Sequence, residues 1–260
     1  MVGCGWCPSP STINHPLTTN FSYHHLVNEL WNELARRASV ELSAAQHEKL
    51  SRYLDLLFEA NARMNLTRIT DRAQAELQHV ADALTLLRYL PRDAHRLADV
   101  GSGGGVPGIP LAIARPDVTV LLIESTKKKA AFLKSAAAAL GLENVTVAEL
   151  RAEDVGHGKS RESFDVAIAR AVATLDWLAE WCLPLVRKGG HMLAMKGPKV
   201  AEELPLAAKA IKLLGGGTPL VHPVDLPGTE HRVIIEIPKV VRTDPKYPRP
   251  ATQAKAKPLA

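Results

Sequence analysis

The 260-residue sequence lacks any apolar run of the roughly 18 residues that a membrane-spanning helix needs. Its amino-terminal stretch also lacks the charged segment followed by an apolar core that marks a secretory signal. We therefore expect a protein without membrane association that works in the cytoplasm.

Cysteine is scarce: the chain has three, at Cys4, Cys7 and Cys182. An odd count, with Cys182 in an apolar segment, argues against a disulfide framework. Cys4 and Cys7 have C-x-x-C spacing, but no second pair follows at zinc-finger spacing and no strand–helix context supports a redox site. The sequence therefore predicts no metal centre.

Acidic residues are not in excess either: the chain has 32 basic and 27 acidic side chains, which gives a formal net charge of +5. This modest excess is compatible with a polyanionic partner. Basic residues are concentrated in the tail, residues 241–260, where Asp244 is the one acid. Hydrophobic residues make up 46% of the chain and charged residues 23%, as in ordinary globular proteins.

The amino-terminal third reads as helical. Residues 1–25, which are rich in Pro, Ser, Thr and Asn, are predicted to be disordered. Apolar residues at helical spacing predict three amphipathic helices within residues 26–92, over 27–38, 43–62 and 73–89. These helices are expected to form a segment that packs on the remainder of the chain.

From residue 93 to 240 short apolar runs alternate with helical stretches, which predicts an α/β fold with a mostly parallel sheet and helices on both faces. The predicted strands are 96–100, 118–123, 145–148, 164–169, 191–195 and 232–237. The predicted helices are 108–114, 127–140, 175–185 and 200–214. The last strand, with no helix after it, is expected to run antiparallel at the far side of the sheet.

A glycine-rich loop, GSGGGVPG, directly follows the first predicted strand. Ligands of open parallel sheets bind at the carboxyl ends of the strands, and glycines there let a ligand touch the backbone. Gly101 and Gly103 are therefore expected to form the floor of a nucleoside site. The loop matches G-x-G-x-x-G only weakly, and no phosphate-binding G-x-x-x-x-G-K-[ST] loop is present.

Charged residues follow three other strands of the predicted sheet. Glu124 ends the second strand, at the distance from the loop where an acid accepts hydrogen bonds from a ribose. Ala152 and Glu153 follow the third strand and Arg170 the fourth, so all are expected at the same edge. Both NAD enzymes and S-adenosylmethionine (SAM) methyltransferases use an acid like Glu124, so this residue alone does not distinguish them. The alternative to ligand binding is that Glu124 caps the next helix.

Several linked motifs in one order give the chain a resemblance to a known family. The stretches DVGSGGGVPGIPLAIARPD, KKAAFL, LGLENVTV, RAED, FDVAIARAVATL, WCLPLVRKGG and AMKG resemble those of the RsmG (GidB) family. Upstream, NARMNLTRIT and HVADALTL resemble the family's Asn-Leu-Thr and His-x-x-Asp-Ser stretches, and KYPRPATQAKAKPL resembles its basic tail. The resemblance covers residues 43–260.

The resemblance implies a seven-stranded, Rossmann-like SAM-dependent methyltransferase. It would methylate N7 of guanine 527, in the 530-loop region of 16S rRNA, as a monomer acting on the rRNA or the small ribosomal subunit. The implied cofactor contacts are at Gly101, Gly103, Val106, Glu124, Ala152, Glu153 and Arg170. The chain departs from the family at Ala83, where Ser is usual, and at Lys127, where Gly is usual.

Arg170 is the predicted catalytic residue, because it stands where cofactor and guanine would meet. The candidate RNA contacts are Arg63, Arg68, Arg72, Lys196, Lys199, Lys246 and Arg249. Two other classes of function remain open at this stage. One is a nicotinamide-dependent oxidoreductase, for which no catalytic Tyr-x-x-x-Lys or His is found; the other is a non-catalytic RNA-binding module.

Overall fold

The computed structural model describes residues 16–170, 173–227, 229 and 231–259. Residues 1–15, within the predicted disordered segment, lie outside the described residues. Helix α1 spans Pro16–Arg36, so the prediction of disorder over residues 16–25 is wrong and the first helix begins earlier than residue 27. No helix among the described residues is long and apolar enough to cross a membrane.

Helix α2, Ala44–Met64, matches the predicted second helix. The Ser43 side chain accepts a hydrogen bond from the backbone of Gln46, whose own side chain accepts one from the backbone of Ser43. This capping box satisfies two backbone donors that a helix start leaves without partners. The Gln46 side chain also donates a hydrogen bond to the backbone carbonyl of Ile113 at 2.8 Å, which connects α2 to the segment after the first strand of the sheet.

The third predicted helix is present but irregular. It consists of α3 (Arg72–Ala75), a π-helical turn (Glu76–Ala81), α4 (Asp82–Leu84) and a 3-10 turn (Thr85–Tyr89). π-Helical turns are rare and frequently lie at functional sites, because the extra residue re-aims side chains. Here the π-helical turn carries His79 and ends directly before Asp82.

Seven strands form one sheet in the order β3-β2-β1-β4-β5-β7-β6, which confirms the Rossmann-like fold. The strands are β1 (Arg96–Val100), β2 (Thr119–Ile123), β3 (Val145–Ala148), β4 (Phe164–Arg170), β5 (Val186–Lys196), β6 (Leu220–Pro223) and β7 (Val233–Pro238). The first five are mutually parallel, and β7 runs antiparallel to β5 as predicted. Parallel strands bring the carboxyl ends of β1 to β5 to one edge of the sheet.

Helices cover both faces of the sheet. They are α5 (Gly108–Ala114), α6 (Lys127–Ala139), α7 (Ala152–His157), α8 (Leu175–Cys182), α9 (Val200–Leu213) and α10 (Ala251–Ala256). Helices α1 and α2 share one apolar core with α5 and α6, whereas α8 and α9 fill the core on the other face. The amino-terminal helical segment therefore has no separate core and is part of one sheet face.

Strand β6 and helices α7 and α10 were not predicted from the sequence, and strand β5 was predicted too short. Strand β6 is short, largely exposed and pairs only at the sheet edge, so its residues carry no alternating apolar pattern. Helix α7 has only six residues, which is too few for a helical period to show. Strand β5 is longer than the predicted 191–195, because its first residues are glycines and exposed cations.

The carboxyl-terminal tail is held on the sheet domain. Arg249 forms a paired contact with Glu180 of α8, with Nε to Oε1 at 2.7 Å and Nη2 to Oε2 at 2.8 Å. Lys239 is fully buried and donates to the carbonyls of Leu183 and Leu214. These contacts order the start of the tail, and α10 follows directly.

Candidate functional site

A cavity of about 430 Å³ opens at the carboxyl ends of the parallel strands, where the sequence predicted a nucleoside site. Its walls come from the glycine-rich loop, the tips of β2, β3 and β4, and the amino-terminal helical segment. The residues are Leu57, Leu66, Thr67, His79, Val100, Gly101, Ser102, Gly103, Gly104, Val106, Ile123, Glu124, Ser125, Lys129, Leu150, Arg151, Ala152, Glu153, Arg170 and Trp181. All seven predicted cofactor residues therefore line one cavity.

The glycine-rich loop forms the floor of this cavity and is held from below by α2. Gly103 has a φ of +55°, in the left-handed region that side chains disfavour. The fully buried Tyr53 of α2 donates its hydroxyl hydrogen to the carbonyl of Gly104 at 2.7 Å. A Cβ on Gly104 would lie 3.0 Å from Leu57 of α2, so the loop and this helix are in close contact.

Asp99, at the end of β1, fixes the start of α5. Its Oδ2 accepts a hydrogen bond from the backbone N–H of Gly108 at 3.1 Å. A Cβ on Gly108 would lie 2.5 Å from that oxygen, so glycine is required for this close approach. Burial raises the pKa of Asp99 to about 7, although the Gly108 hydrogen bond opposes the rise. Asp99 therefore supports the loop from within the core.

Glu124 lies where a ribose-binding acid is expected. Its Oε2 accepts from the backbone N–H of Gly103 at 3.0 Å, and its Oε1 accepts from Thr126 at 2.7 Å. The carboxylate is only 8% exposed and lines the cavity. Each oxygen keeps a further lone pair for a hydroxyl donor. Glu124 therefore holds the residue before the next helix without capping that helix, and its role in ligand binding stays a prediction.

The part of the cavity wall beyond β3 comes from the start of helix α7. Ala152 and Glu153 begin this helix and line the cavity, and Glu153 is buried. The indole of Trp181 reaches the cavity from α8. Val106 lines it from the glycine-rich loop. This end therefore combines an apolar surface with one buried carboxylate.

Arg170 ends β4 and reaches the π-helical turn of the amino-terminal segment. Its Nη1 donates to the carbonyl of Gln78 at 2.7 Å and to Oδ2 of Asp82 at 3.0 Å, and its Nη2 lies 3.1 Å from Nδ1 of His79. Asp82 is fully buried, and burial raises its pKa while Arg170 and Arg232 lower it. Arg170 therefore has a structural task as well as a place in the cavity wall.

His79 is neutral because of its surroundings. Burial and, to a lesser extent, the positive charge of Arg170 lower its pKa to about 4. Its other ring nitrogen, Nε2, lies 2.8 Å from the hydroxyl oxygen of Thr67. The structure connects both His79 and Asp82 to Arg170.

NMR titration of the His79 imidazole is expected to give a midpoint near pH 4 rather than 6.5, because burial and Arg170 both disfavour the imidazolium. The variant R170M should move that midpoint upward, since it removes the second cause. A midpoint near 6.5 in the wild-type protein would contradict the buried, neutral imidazole.

The predicted RNA contacts divide into two groups. Lys196 is 10% exposed and pairs with Glu203 at 2.6 Å, and Arg249 is 11% exposed and pairs with Glu180. Both cations are therefore engaged within the fold, where they hold α9 and the tail, and a direct RNA contact by either of them stays a prediction. Arg72 is likewise bound to Asp55 and Glu76, so it joins α2 to the third helical segment.

The other candidate cations are on the surface. Arg68 and Lys199 are exposed, and Arg63 is 75% exposed with a distant partner, Glu59, at 3.7 Å. Arg68 directly follows Thr67 of the cavity wall, and Lys199 follows the carboxyl end of β5. Lys246 is 64% exposed but pairs with Asp244 at 3.1 Å.

Several residues of the site were not singled out from the sequence. Lys129 and Arg151 line the cavity, and Tyr53, Asp99 and Thr67 position its floor or wall. Asp99 could have been recognised in the sequence, because it is an acidic residue within an apolar strand just before a glycine-rich loop. Tyr53 carried no signal beyond the core face of its helix, because its hydroxyl partner is a distant backbone carbonyl.

The cavity fits a nucleoside cofactor. Its volume lies within the range of about 300–1,000 Å³ that small-molecule sites have. Bare backbone at the loop and a carboxylate with free lone pairs match the needs of a ribose. Among the described residues no cluster of three or more His, Cys, Asp or Glu side chains is placed to hold a metal ion.

Comparison with known proteins identifies close relatives. The family model for GidB, rRNA small subunit methyltransferase G, matches residues 46–225. Ribosomal RNA small subunit methyltransferase G of Alkaliphilus oremlandii is 40% identical, with 90% of this chain and 99% of that protein covered. The protein of the same name from Moorella thermoacetica is 45% identical, with 83% and 91% covered.

A comparison of folds agrees with these sequence matches. A SAM-dependent methyltransferase from Aquifex aeolicus superposes with a TM-score of 0.51 at 16% identity. The match covers 68% of this chain and 97% of that one. At this identity the match supports the fold alone, which is the Rossmann-like sheet described above.

Proposed function

Because this chain belongs to the GidB family of rRNA small subunit methyltransferases, we propose that it transfers the methyl group of SAM to N7 of a guanine in 16S rRNA, guanine 527 of the 530-loop region. The observation that carries the proposal is the convergence of the glycine-rich loop, Glu124, Glu153 and Arg170 on one cavity. Methyl transfer needs a nucleoside site open to a second reactant, and this cavity is open at the strand tips.

The residues divide the work between them. All of these residues line the cavity. Glu124 would accept hydrogen bonds from the ribose hydroxyls, Ala152 and Glu153 would face the adenine, and the loop at Gly101, Gly103 and Val106 would hold the methionine part of the cofactor. When bound, SAM supplies an electrophilic methyl group on a sulfonium. Arg170 stands at the strand beside the loop and closes the wall where the guanine enters.

No general base is needed for this reaction, because guanine N7 carries a lone pair and no proton. The site agrees with that requirement: the imidazole of His79 is buried, and its Nδ1 is occupied by Arg170. Catalysis then depends on orientation, since holding two reactants at near-attack distance can supply several kcal/mol. A nicotinamide-dependent reaction, the enzyme alternative, finds no support from the family.

The substrate has to present its guanine unpaired. In an A-form helix the N7 edge faces a deep, narrow groove that side chains cannot enter. We therefore place the target in a loop whose base turns into the cavity while Arg63, Arg68 and Lys199 contact phosphates. An exposed cation without a close acidic partner can bind a phosphate without first breaking an ion pair within the protein. We further propose that the enzyme acts as a cytoplasmic monomer on the small subunit or its rRNA.

Mapping of N7-methylguanosine in 16S rRNA tests the function. Ribosomal RNA from cells lacking this gene, incubated with purified protein and SAM, should gain one N7-methylguanosine at guanine 527. The protein without SAM provides the control. Methylation of a different atom, or none, would contradict the proposal. Binding of S-adenosylhomocysteine but not NAD would separate it from the oxidoreductase alternative.

Neutralising the surface cations should reduce the salt dependence of RNA binding. Each lost phosphate contact lowers the slope of log K against log salt by about 0.7 to 0.9. We expect R63Q, R68Q and K199Q together to lower it by about 2. The matched control is K212Q, an exposed lysine in the last turn of α9, at the end of the helix opposite to Lys199. An unchanged slope in the triple variant would remove these residues from the RNA interface.

A further inference from the structure

The cavity has two ends, which the strand order separates. Glu124 ends β2, on one side of β1, and Arg170 ends β4, on the other. A cofactor whose ribose lies at Glu124 therefore extends across the glycine-rich loop toward β4. The wall at that second end includes His79 and Thr67. His79 contacts Arg170, and Thr67 contacts His79.

The hydrogens of this chain of contacts can be assigned. Nδ1 of His79 lies 3.1 Å from Nη2 of Arg170 and 3.3 Å from the carbonyl oxygen of Gln78, which already accepts from Arg170 at 2.7 Å. An arginine side chain has only N–H donors, so the shorter contact assigns Nδ1 as the acceptor from Arg170. A neutral imidazole with an accepting Nδ1 carries its proton on Nε2. That proton is then donated to Oγ1 of Thr67 at 2.8 Å. Arg170 thereby fixes the tautomer of His79, and His79 fixes the role of the Thr67 oxygen.

Thr67 is left with one free hydrogen-bonding function. Its Oγ1 accepts from His79 and also from the backbone N–H of Ile69 at 3.0 Å. A hydroxyl oxygen has two lone pairs, and both are occupied. The remaining function is the hydroxyl hydrogen, and Thr67 lines the cavity. The geometry thus makes Thr67 a donor that cannot act as an acceptor.

We propose that the Thr67 hydroxyl donates to O6 of the target guanine and so selects guanine at the methyl-transfer end of the cavity. This inference rests on the proposed function. Guanine presents N7 and O6, two acceptors, on the same edge, whereas adenine presents an amino donor beside N7. A donor-only hydroxyl beside the reacting N7 pairs with guanine and opposes adenine. His79 is the positioning residue that holds Thr67 in this state.

Two substitutions separate the hydroxyl from the shape of the side chain. T67V keeps the branched shape without the hydroxyl, and T67S keeps the hydroxyl without the methyl group. We expect T67V to lower kcat/KM for the RNA about ten-fold, the value of one hydrogen bond of about 1.4 kcal/mol, and T67S to remain within two- to three-fold of wild type. The affinity for S-adenosylhomocysteine should stay unchanged in both.

A change in the substrate tests the same contact without altering the fold. RNA with 2-aminopurine at the target position lacks O6, so wild type should lose about the same ten-fold on it and T67V should lose nothing further. An equal kcat/KM of T67V and wild type on guanine would overturn the proposal. A T67V deficit that persists on 2-aminopurine, or one matched by weaker S-adenosylhomocysteine binding, would assign the hydroxyl to the cofactor instead. Failure of wild type to form N7-methylguanosine at all would refute the proposed function itself.

Discussion

Replacing Arg170 by alanine is expected to abolish methylation and also to destabilise the protein. The substitution removes the donors to Gln78 and Asp82 and the neighbour of His79 in one step. Asp82 is fully buried, and among the described residues the other cation paired with it is Arg232, 3.7 Å away. Breaking a buried pair by removing one partner costs about 3 kcal/mol or more, because a charge remains without compensation.

This expectation differs from the sequence-based one, which placed Arg170 chiefly in catalysis. The two roles can be separated by the double variant R170A/D82N, since asparagine has no charge to compensate. We expect the double variant to recover most of the free energy of unfolding, measured by urea denaturation, but no methylation. Recovery of both would show that Arg170 acts only through the fold. Equal instability of the single and double variants would contradict the buried ion pair.

Loss of the Glu124 carboxylate is expected to have the largest effect on cofactor binding. In E124A the ribose acceptor disappears together with the acceptors for Gly103 and Thr126, so the loop also loses its support. Hydrogen bonds to a charged group contribute about 1.5–3 kcal/mol each, which predicts a loss of about 100-fold in affinity. Calorimetric titration with S-adenosylhomocysteine measures this directly.

Matched variants show which property of Glu124 matters. E124D keeps the charge on a side chain one methylene shorter and should bind within about ten-fold of wild type. E124Q should bind poorly, because its amide has one acceptor oxygen for two backbone N–H groups. E143A, at an exposed acid before β3 on the opposite sheet edge, is the control. An E124A affinity like that of E143A would place the cofactor elsewhere.

The family and the outline of the site were readable because they depend on local order along the chain. Alternating strands and helices predict a parallel sheet, and a parallel sheet brings the residues that follow its strands to one edge. Gly101, Glu124, Glu153 and Arg170 were thus predicted to lie together before any contact was known. The short elements α7 and β6 were missed, because they carry no periodic apolar pattern.

Cations were the least predictable residues. Lys196 and Arg249 look like RNA contacts in the sequence, yet Glu203 and Glu180 neutralise them in the fold. The identity of a basic residue does not show whether its side chain is exposed to solvent or paired with a buried acid. Only the distance to its partner distinguishes the two, and here the partners are on other elements.

The sequence alone determined the fold class, the family and the edge of the sheet that binds the nucleoside, since these follow from the order and periodicity of residues along the chain. The tertiary structure decided which groups are paired and which are free. The contacts of Arg170 with the π-helical turn, and the donor state of Thr67, join residues about ninety and twelve positions apart in the chain. Such pairings depend on packing distances of a few ångströms, which residue order does not encode locally.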